Sequence, residues 1–102
     1  MIAVDTSTLM AIVLGEPQAE ACMTAIEEAE QLLISGLGFE IVTVTAASAR
    51  RIADAYGRWG KGIHPASLNY GDCFAYEVAI EHDCPLLYIG DDFRQTDVRS
   101  AL

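Results

Sequence analysis

The chain has 102 residues, of which 52% are hydrophobic, with a formal net charge of −9 and a sequence pI of about 4.3. This length suits one domain with one core, and the hydrophobic content excludes a disordered tail. A basic nucleic-acid module is also excluded, because residues 1–49 contain seven acidic side chains and no lysine or arginine. An acidic enzyme can still act on a polyanion if metal ions neutralise its site.

Cysteine usage and hydropathy indicate the compartment. Cys22, Cys73 and Cys84 form an odd set without metal-ligand spacing, which is typical of small buried residues in a reducing compartment. Asp5 interrupts the first apolar run, so we expect no signal peptide. No apolar segment reaches the roughly 18 residues that span a bilayer. We therefore expect a cytoplasmic protein without membrane association.

The first predicted element is a buried strand at residues 2–4, which ends at Asp5. Ser7 or Thr8 is expected to cap the following helix, which is apolar nearly all round and ends at Gly15. Open α/β sheets place ligands where a strand's carboxyl end faces a helix start, so Asp5 is a candidate ligand-binding residue. A turn or capping role for Asp5 is an equal alternative.

Two further helices are predicted in the middle of the chain. Pro17 is expected to open one that runs to about Ala29, and Thr45 is expected to cap another that fades near residues 57–60. Two strands are predicted between these helices, at residues 32–35 and 40–44. The inward-facing residues are predicted to be Cys22, Met23 and Ile26 in the first helix and Ala46, Ala49, Ile52, Ala53 and Tyr56 in the second.

The last third of the chain is predicted to contain one helix and one strand. Asn69 is expected to cap the helix, which runs to about Glu81, and the strand occupies residues 86–89. The tail is expected to form one turn or a minor edge strand. The aromatic residues of the helix are predicted to pack in the core rather than stack on bases: Tyr70, Phe74 and Tyr76.

The alternation of strands and helices predicts a single α/β domain over residues 1–102, with a parallel sheet and helices on both faces. One connection is too short for this topology. A parallel crossover needs about a dozen residues, yet only residues 36–39 separate the second and third predicted strands. Either these strands form an antiparallel hairpin, or a helical segment is absent near Ser35 and Gly36. We favour the absent segment, because the other connections have crossover length.

The acidic residues at the predicted strand and helix ends are the candidate site. Asp5 ends the first strand, Asp91 and Asp92 end the last, and Asp72 lies in the first turn of the helix between them. Two like charges 4 Å apart repel by about 4 kcal/mol at an effective dielectric of 20, so such a cluster favours a bound cation. Carboxylate and water oxygens suit Mg²⁺ or Mn²⁺. The alternative is that Asp72 and Asp91 are separate helix caps.

Another reaction class remains open from the residues alone. Asp5 could be the nucleophile of a phosphotransfer or phosphohydrolase domain, because receiver-like folds also carry acidic clusters at strand ends. Those folds need a lysine after a late strand, and Lys61 is misplaced for that role. We therefore rank this hypothesis below a metal-dependent nuclease.

Three ordered motifs carry a family resemblance. Residues 1–7 read Met-Ile-Ala-Val-Asp-Thr-Ser, residues 64–76 contain Asn-Tyr-Gly-Asp, and residues 86–93 end in Gly-Asp-Asp-Phe, followed by Thr-Asp-Val at 96–98. This pattern resembles the PIN-domain ribonucleases, most closely the VapC-type toxins of bacterial toxin–antitoxin pairs. The likeness covers essentially the whole chain.

The resemblance implies a PIN-like fold and a metal-dependent endoribonuclease toxin that cuts RNA with Mg²⁺ or Mn²⁺. It implies a cognate antitoxin as inhibitor and a homodimer. The implied catalytic residues are Asp5, Asp72, Asp91 and Asp92, the implied metal ligands are Asp5, Asp72 and Asp91, and the implied substrate-positioning residues are Thr6 and Ser7. Which of Asp91 and Asp92 faces the metal is left open.

The chain departs from the family pattern where its topology was already irregular. The family has a helical hairpin between strands two and three, and this hairpin carries a further active-site glutamate. Glu40 lies in a predicted strand and is a poor substitute. The alternative function is therefore a catalytically impaired PIN-like protein that only binds an antitoxin or another partner.

Overall fold

Three parallel strands form the centre of the fold. The computed structural model describes residues 1–29 and 44–102, and the backbone of residues 32–33. The strands of this part are β1 (Ile2–Val4), β2 (Leu32–Leu33) and β3 (Leu86–Leu87), in the order β2-β1-β3. In the register, Ala3 pairs with Leu33 and Leu86, and Val4 pairs with Leu87. The predicted α/β class with a parallel sheet is confirmed.

Helices connect and cover these strands. Their bounds are α1 Thr6–Leu14, α2 Ala19–Glu28, α3 Ala46–Trp59 and α4 Tyr70–Glu81, and a single 3₁₀ turn follows at Phe93–Gln95. The prediction of helices at these four places is confirmed. None of the helices in the described ranges is both long and apolar enough to cross a membrane.

The alternation of side chains along β1 divides the core into two layers. Ala3 and Leu86 pack with the buried residues of α3 and α4 on one face of the sheet. Val4 and Leu87 pack with Cys22 and with residues of α1 and α2 on the other face. Successive strand residues point to opposite faces, so the Ala3–Leu86 pair lies in one layer and the Val4–Leu87 pair lies in the other. The prediction of helices on both faces is confirmed.

The start of α1 differs from its prediction. Asp5 is the N-cap, and its Oδ2 accepts a hydrogen bond of 3.0 Å from the Ser7 backbone N–H. The expectation that Ser7 or Thr8 caps this helix is therefore wrong, because the helix begins at Thr6. Its end is as predicted: Gly15 adopts the left-handed conformation, with a φ of 64°, that glycine takes without steric cost.

Helix α2 begins later than predicted and turns a slightly different face inward. Pro17 lies in the turn before the helix, and Gln18 is its N-cap. Cys22 is buried and Ile26 packs beside it, as predicted. Met23 was predicted to face inward, but it is 39% exposed. The neighbouring position Cys22 faces the sheet, and adjacent residues are about 100° apart around a helix.

Helix α3 starts as predicted but packs through a different set of residues. Thr45 and Ser48 form a capping box, which confirms Thr45 as the cap. The buried positions are Ser48, Ile52, Ala55 and Trp59. Of the predicted inner residues, Ile52 is buried and Tyr56 is half-buried, whereas Ala46, Ala49 and Ala53 are exposed. The larger Trp59 side chain buries more apolar area than an alanine does, which favours the observed face.

The last helix agrees with its prediction, because Asn69 caps α4 and the helix ends at Glu81. The last strand is present but covers only residues 86–87 of the predicted 86–89. The tail pairs at the sheet edge, because the Leu86 N–H donates to the Arg99 carbonyl (2.8 Å) and the Ala101 N–H donates to the Leu86 carbonyl (3.0 Å). The three cysteines are buried and free.

Two predictions lie outside the described residues. The strand at 40–44 falls there except for Val44, which belongs to no strand in the structure. Ser35 and Gly36, where a missing segment was predicted, also lie outside, as does Glu40.

Candidate functional site

Asp5 lies at the carboxyl end of β1 with its carboxylate buried. Its side chain is only 6% exposed. Its backbone N–H donates a 2.9 Å hydrogen bond to the Leu87 carbonyl, which fixes Asp5 against β3. Its Oδ2 caps α1 through the Ser7 N–H. The Asp5 carboxylate is therefore held in one position at the rim of the sheet, which is the edge where the carboxyl ends of the strands lie.

Two polar side chains of the first turn of α1 also reach β3. The Thr8 hydroxyl donates to the Leu87 carbonyl at 2.8 Å. The Ser7 hydroxyl oxygen accepts a 3.0 Å hydrogen bond from the Ile89 N–H. That contact orients Ser7 and leaves its hydroxyl proton available for another acceptor. Thr6, the other candidate positioning residue, is exposed.

Asp72 lies at the start of α4 and takes part in capping it. Its Oδ2 accepts from the Asn69 N–H at 3.0 Å, and the Asn69 Oδ1 accepts from the Asp72 N–H at 2.8 Å. This reciprocal pair is a capping box, and it holds the Asp72 side chain at the N-terminus of the helix. Asp72 thus takes part in capping α4, which was the alternative role predicted for it from the sequence.

The environment of Asp72 raises the pKa of its carboxyl group. Burial is the largest cause, and the hydrogen bond from the Asn69 backbone partly opposes it. The negative charges of Asp5 and Asp92 raise this pKa further. Asp5 follows β1 and Asp92 follows β3 on the carboxyl side of the sheet. Carboxylates from three separate parts of the chain thus interact electrostatically at one rim.

Asp91 and Asp92 have different surroundings. The Asp91 side chain is 84% exposed, and its Oδ1 accepts a 3.4 Å hydrogen bond from Arg94 Nη1. Asp92 precedes the 3₁₀ turn without capping it through its side chain. Of the two, Asp92 is the one whose charge acts on Asp72.

Among the described residues, the acidic side chains of the rim do not form a complete metal-binding site. Within residues 1–29 and 44–102, no three histidine, cysteine or acidic side chains are spaced to hold a metal ion. The N-termini of α1 and α4 carry two of the carboxylates of the rim, Asp5 and Asp72. Helix N-termini favour negative charge, which makes the carboxylates easier to hold there and suits an approaching phosphate.

The aromatic residues of α4 divide between core and surface. Phe74 and Tyr76 pack in the core as predicted, and the Tyr76 hydroxyl donates a 2.6 Å hydrogen bond to Asp97 of the tail. Tyr70 was predicted to pack in the core as well, but it is 59% exposed. Sequence reasoning missed this surface position. The sequence signal for the exposure of Tyr70 was its position directly after the N-cap, as the first residue of the helix.

Comparison with known proteins gives the family. No protein-family model matches the chain. It is 33% identical to Ribonuclease VapC30 of Mycobacterium tuberculosis over 126 residues, which cover 96% of both chains. It is also 35% identical to Ribonuclease VapC42 of that organism, over 96% of this chain and 97% of the relative. The chain belongs to the VapC ribonuclease family. A third VapC ribonuclease, from Mycolicibacterium smegmatis, is 34% identical over 96% of this chain and 98% of its own.

The VapC relatives differ from this chain in length within the matched region. The alignments run over 126 or 127 residues, whereas this chain has 102 in all. The VapC relatives therefore contain a stretch without a counterpart here. The resemblance to VapC-type toxins that the three motifs carry is confirmed.

Proposed function

We propose that this chain is an endoribonuclease toxin that cleaves RNA with a divalent cation, Mg²⁺ or Mn²⁺. The observation that carries the proposal is the position of Asp5, Asp72 and Asp92 at one rim of the sheet, where burial and the charges of Asp5 and Asp92 all raise the pKa of Asp72. Family membership supports the reaction, since the relatives are named ribonucleases.

Asp5, Asp72 and Asp92 are the residues that would hold the cation. A half-buried carboxyl group whose pKa is raised by two neighbouring carboxylates is relieved by a bound positive charge. An all-oxygen donor set completed by water suits Mg²⁺ or Mn²⁺. Asp91 was the ligand preferred from the sequence, but its pairing with Arg94 favours Asp92. When bound, such a cation activates water and stabilises negative charge on a phosphate.

The chain's own residues would position the RNA. Ser7 has its hydroxyl oxygen bound by the Ile89 N–H, so its proton points away from that donor and can be given to a phosphate oxygen. Thr6 is exposed beside it and offers a second hydroxyl. The N-termini of α1 and α4 favour the negatively charged backbone at this rim. Asp5 is fixed by two backbone contacts, so the carboxylate does not have to reorganise when RNA arrives.

A second candidate function is a catalytically impaired protein that binds only an antitoxin or another partner. Two observations favour it. The chain is shorter than its alignments with the relatives, and the described part contains no ready group of three metal ligands. We propose that the missing stretch lies near Ser35 and Gly36 and includes the hairpin that carries the family's further glutamate. The whole chain would still form one PIN-like domain.

Partners and compartment follow from the same proposal. A cognate antitoxin would inhibit the toxin, and a net charge of −9 favours a basic binding segment on that partner. We also propose a homodimer and a location in the cytoplasm, where the three free cysteines stay reduced.

RNA cleavage in the presence of Mg²⁺ or Mn²⁺ tests the first candidate. We expect the wild type to cleave, EDTA to abolish cleavage, and Asp5→Ala to lose it by at least about 100-fold, the scale of removing one key catalytic group. Glu28→Ala is the matched control, because Glu28 lies beside Met1 and Ile2 at the opposite edge of the sheet. Unchanged cleavage by Asp5→Ala would contradict the proposal.

The same preparation tests the second candidate. An inactive wild type that still binds its antitoxin tightly would establish the impaired form. Restoring a hairpin from a VapC relative between residues 35 and 40 should then restore metal-dependent cleavage. A wild type that is inactive and binds no basic partner would contradict both candidates.

A further inference from the structure

A stacked pair of tyrosines lies on the surface at the start of α4. The rings of Tyr56 and Tyr70 have centroids 4.7 Å apart and planes only 9° from parallel. One face of the Tyr70 ring is covered by Tyr56, yet the residue is 59% exposed. The other face of the Tyr70 ring is therefore open to solvent.

The inner member of the pair has a rigid support. Tyr56 lies in α3, packs against the core and is only half exposed. It also lies against Gly60, where an added Cβ would come within 3.0 Å of the Cγ and Cδ2 atoms of the Tyr56 ring. Tyr56 thus supports the covered face of the Tyr70 ring from a partly buried position.

The pair is placed beside the proposed catalytic rim. Tyr70 directly follows the N-cap Asn69 and is two positions before Asp72. At a rise of 1.5 Å per residue, the two α-carbons are only about 3 Å apart along the helix axis. Asp72 is the carboxylate on which the charges of Asp5 and Asp92 act. Tyr70 and Asp72 thus share the first turn of α4, with their side chains on different sides of the helix.

The backbone of a lysine lies close to the same helix end. The Lys61 N–H donates a 2.9 Å hydrogen bond to the carbonyl of Leu68, which is two residues before Tyr70. Lys61 is exposed, and it takes part in none of the ion pairs found among residues 44–102. An open aromatic face next to a cation is the combination that binds single-stranded nucleic acid.

We propose that the exposed face of Tyr70 stacks on a base of the RNA substrate next to the cleaved phosphate, while Lys61 contacts a neighbouring phosphate. This proposal rests on the proposed ribonuclease function and adds how the substrate is held. A chain with a net charge of −9 gains little from general attraction to RNA, so it needs local contacts that do not depend on net charge. Stacking provides one, and it accepts any base because every base has an aromatic face.

The alternative role for the pair is structural, namely to join α3 to the start of α4. The two roles make different demands on the substrate. A structural pair affects cleavage in the same proportion whichever base the RNA carries. A stacking partner affects cleavage only when the base that it contacts is present.

A cycle of protein and RNA changes separates these roles. The proteins are the wild type, Tyr70→Ala, Tyr70→Phe and the control Ile80→Ala, which removes an exposed side chain at the other end of α4. The substrates are one RNA with a single cleavage site and a series in which one nucleotide near that site is abasic. Thermal unfolding of each variant is recorded, and Tyr70→Leu replaces Tyr70→Ala if the alanine variant is unfolded.

For the intact RNA, we expect Tyr70→Ala to raise KM by about tenfold, the scale of one base–aromatic stack, with kcat changed much less. Ile80→Ala should behave as the wild type, and Tyr70→Phe, which keeps the aromatic ring, should recover most of the KM lost in Tyr70→Ala. One abasic RNA should cost the wild type a similar factor and cost Tyr70→Ala nothing further. If the two losses multiply at every abasic position, the stacking proposal is overturned.

The experiment also separates this proposal from the ribonuclease function itself. A wild type that cleaves no RNA overturns the proposed function. In that case the same series is measured as the binding of fluorescently labelled single-stranded RNA. A loss of affinity on Tyr70→Ala that disappears with one abasic RNA supports stacking without cleavage, and equal affinity of wild type and Tyr70→Ala for the intact RNA overturns it.

Discussion

The hydroxyl of Thr8 donates a 2.8 Å hydrogen bond to the carbonyl of Leu87, although 79 positions of sequence separate the two residues. The backbone N–H of Asp5 donates to the same carbonyl at 2.9 Å. One acceptor at the end of β3 thus fixes both the start of α1 and the residue whose carboxylate lies on the rim. The position of Asp5 depends on β3 as well as on its own strand.

The Thr8 contact can be removed without changing the volume of the core. We expect Thr8→Val to lower the free energy of unfolding by about 1 kcal/mol, because a buried hydrogen bond is lost while Leu87 keeps its contact with Asp5. Thr6→Val makes the same change two residues earlier, at an exposed site, and should stay within about 0.5 kcal/mol. Urea denaturation of both variants checks this, and equal losses would show that the Thr8 contact adds nothing.

Asp72 should make the protein less stable as the pH rises. Its pKa is raised in the folded state, so its contribution is complete below the ordinary value of 3.8 and is lost as the pH rises through the folded pKa. Asp72→Asn removes this titration and keeps an oxygen that can accept from the Asn69 N–H. We expect the variant to gain melting temperature relative to the wild type as the pH rises above 3.8.

Melting temperatures between pH 3 and 7 check that expectation. Asp91→Asn is the control, because Asp91 is largely exposed. A melting-temperature gain by Asp72→Asn that is the same at every pH would contradict the role of the charge.

A divalent cation should stabilise the wild type through its carboxylates. A ligand that binds only the folded state raises the melting temperature with concentration. We expect millimolar Mn²⁺ to raise that of the wild type, and expect Asp5→Asn, Asp72→Asn and Asp92→Asn to lose the effect. Asp91→Asn should keep it, since Asp91 pairs with Arg94. The reverse result for Asp91 and Asp92 would return Asp91 to the ligand set preferred from the sequence.

Two glycines near the end of α3 should respond in opposite directions to the same substitution. Gly60→Ala places a Cβ against the Tyr56 ring and its carbonyl, and should cost about 1–3 kcal/mol. Gly57→Ala meets no atom within 4 Å inside the helix and should stabilise the fold by about 0.5–1 kcal/mol. Denaturant unfolding measures both. A stabilising Gly60→Ala would show that Tyr56 is not held against Gly60.

Features that depend on near neighbours in sequence were predictable. The caps at Thr45 and Asn69 were recognised because a capping side chain bonds the backbone three residues on. The end of α1 at Gly15 follows from the conformational freedom of glycine. The cap of α1 was less certain: Asp5 was predicted as a cap only as an alternative role, because the choice between it and the next hydroxyl residues depended on where β1 ends.

The face that a helix buries was less predictable. In α3, the alanines at 46, 49 and 53 and the set ending at Trp59 both repeat with helical spacing, so periodicity alone did not choose between them. The choice depended on the space above the sheet, which Ile52, Ala55 and Trp59 fill together with α4. The same limit explains Met23, whose neighbour Cys22 took the inward position in α2.

The order of elements along the chain was enough to predict a parallel α/β protein with acidic residues after its strand ends, because that order brings those ends to one edge of the sheet. The effect of Asp92 rather than Asp91 on Asp72, and the solvent-facing ring of Tyr70, could be seen only in the folded chain. Side-chain direction accounts for this difference. Spacing along a chain gives the element that a residue belongs to, whereas the direction of its side chain is set by the neighbours that the fold brings to it.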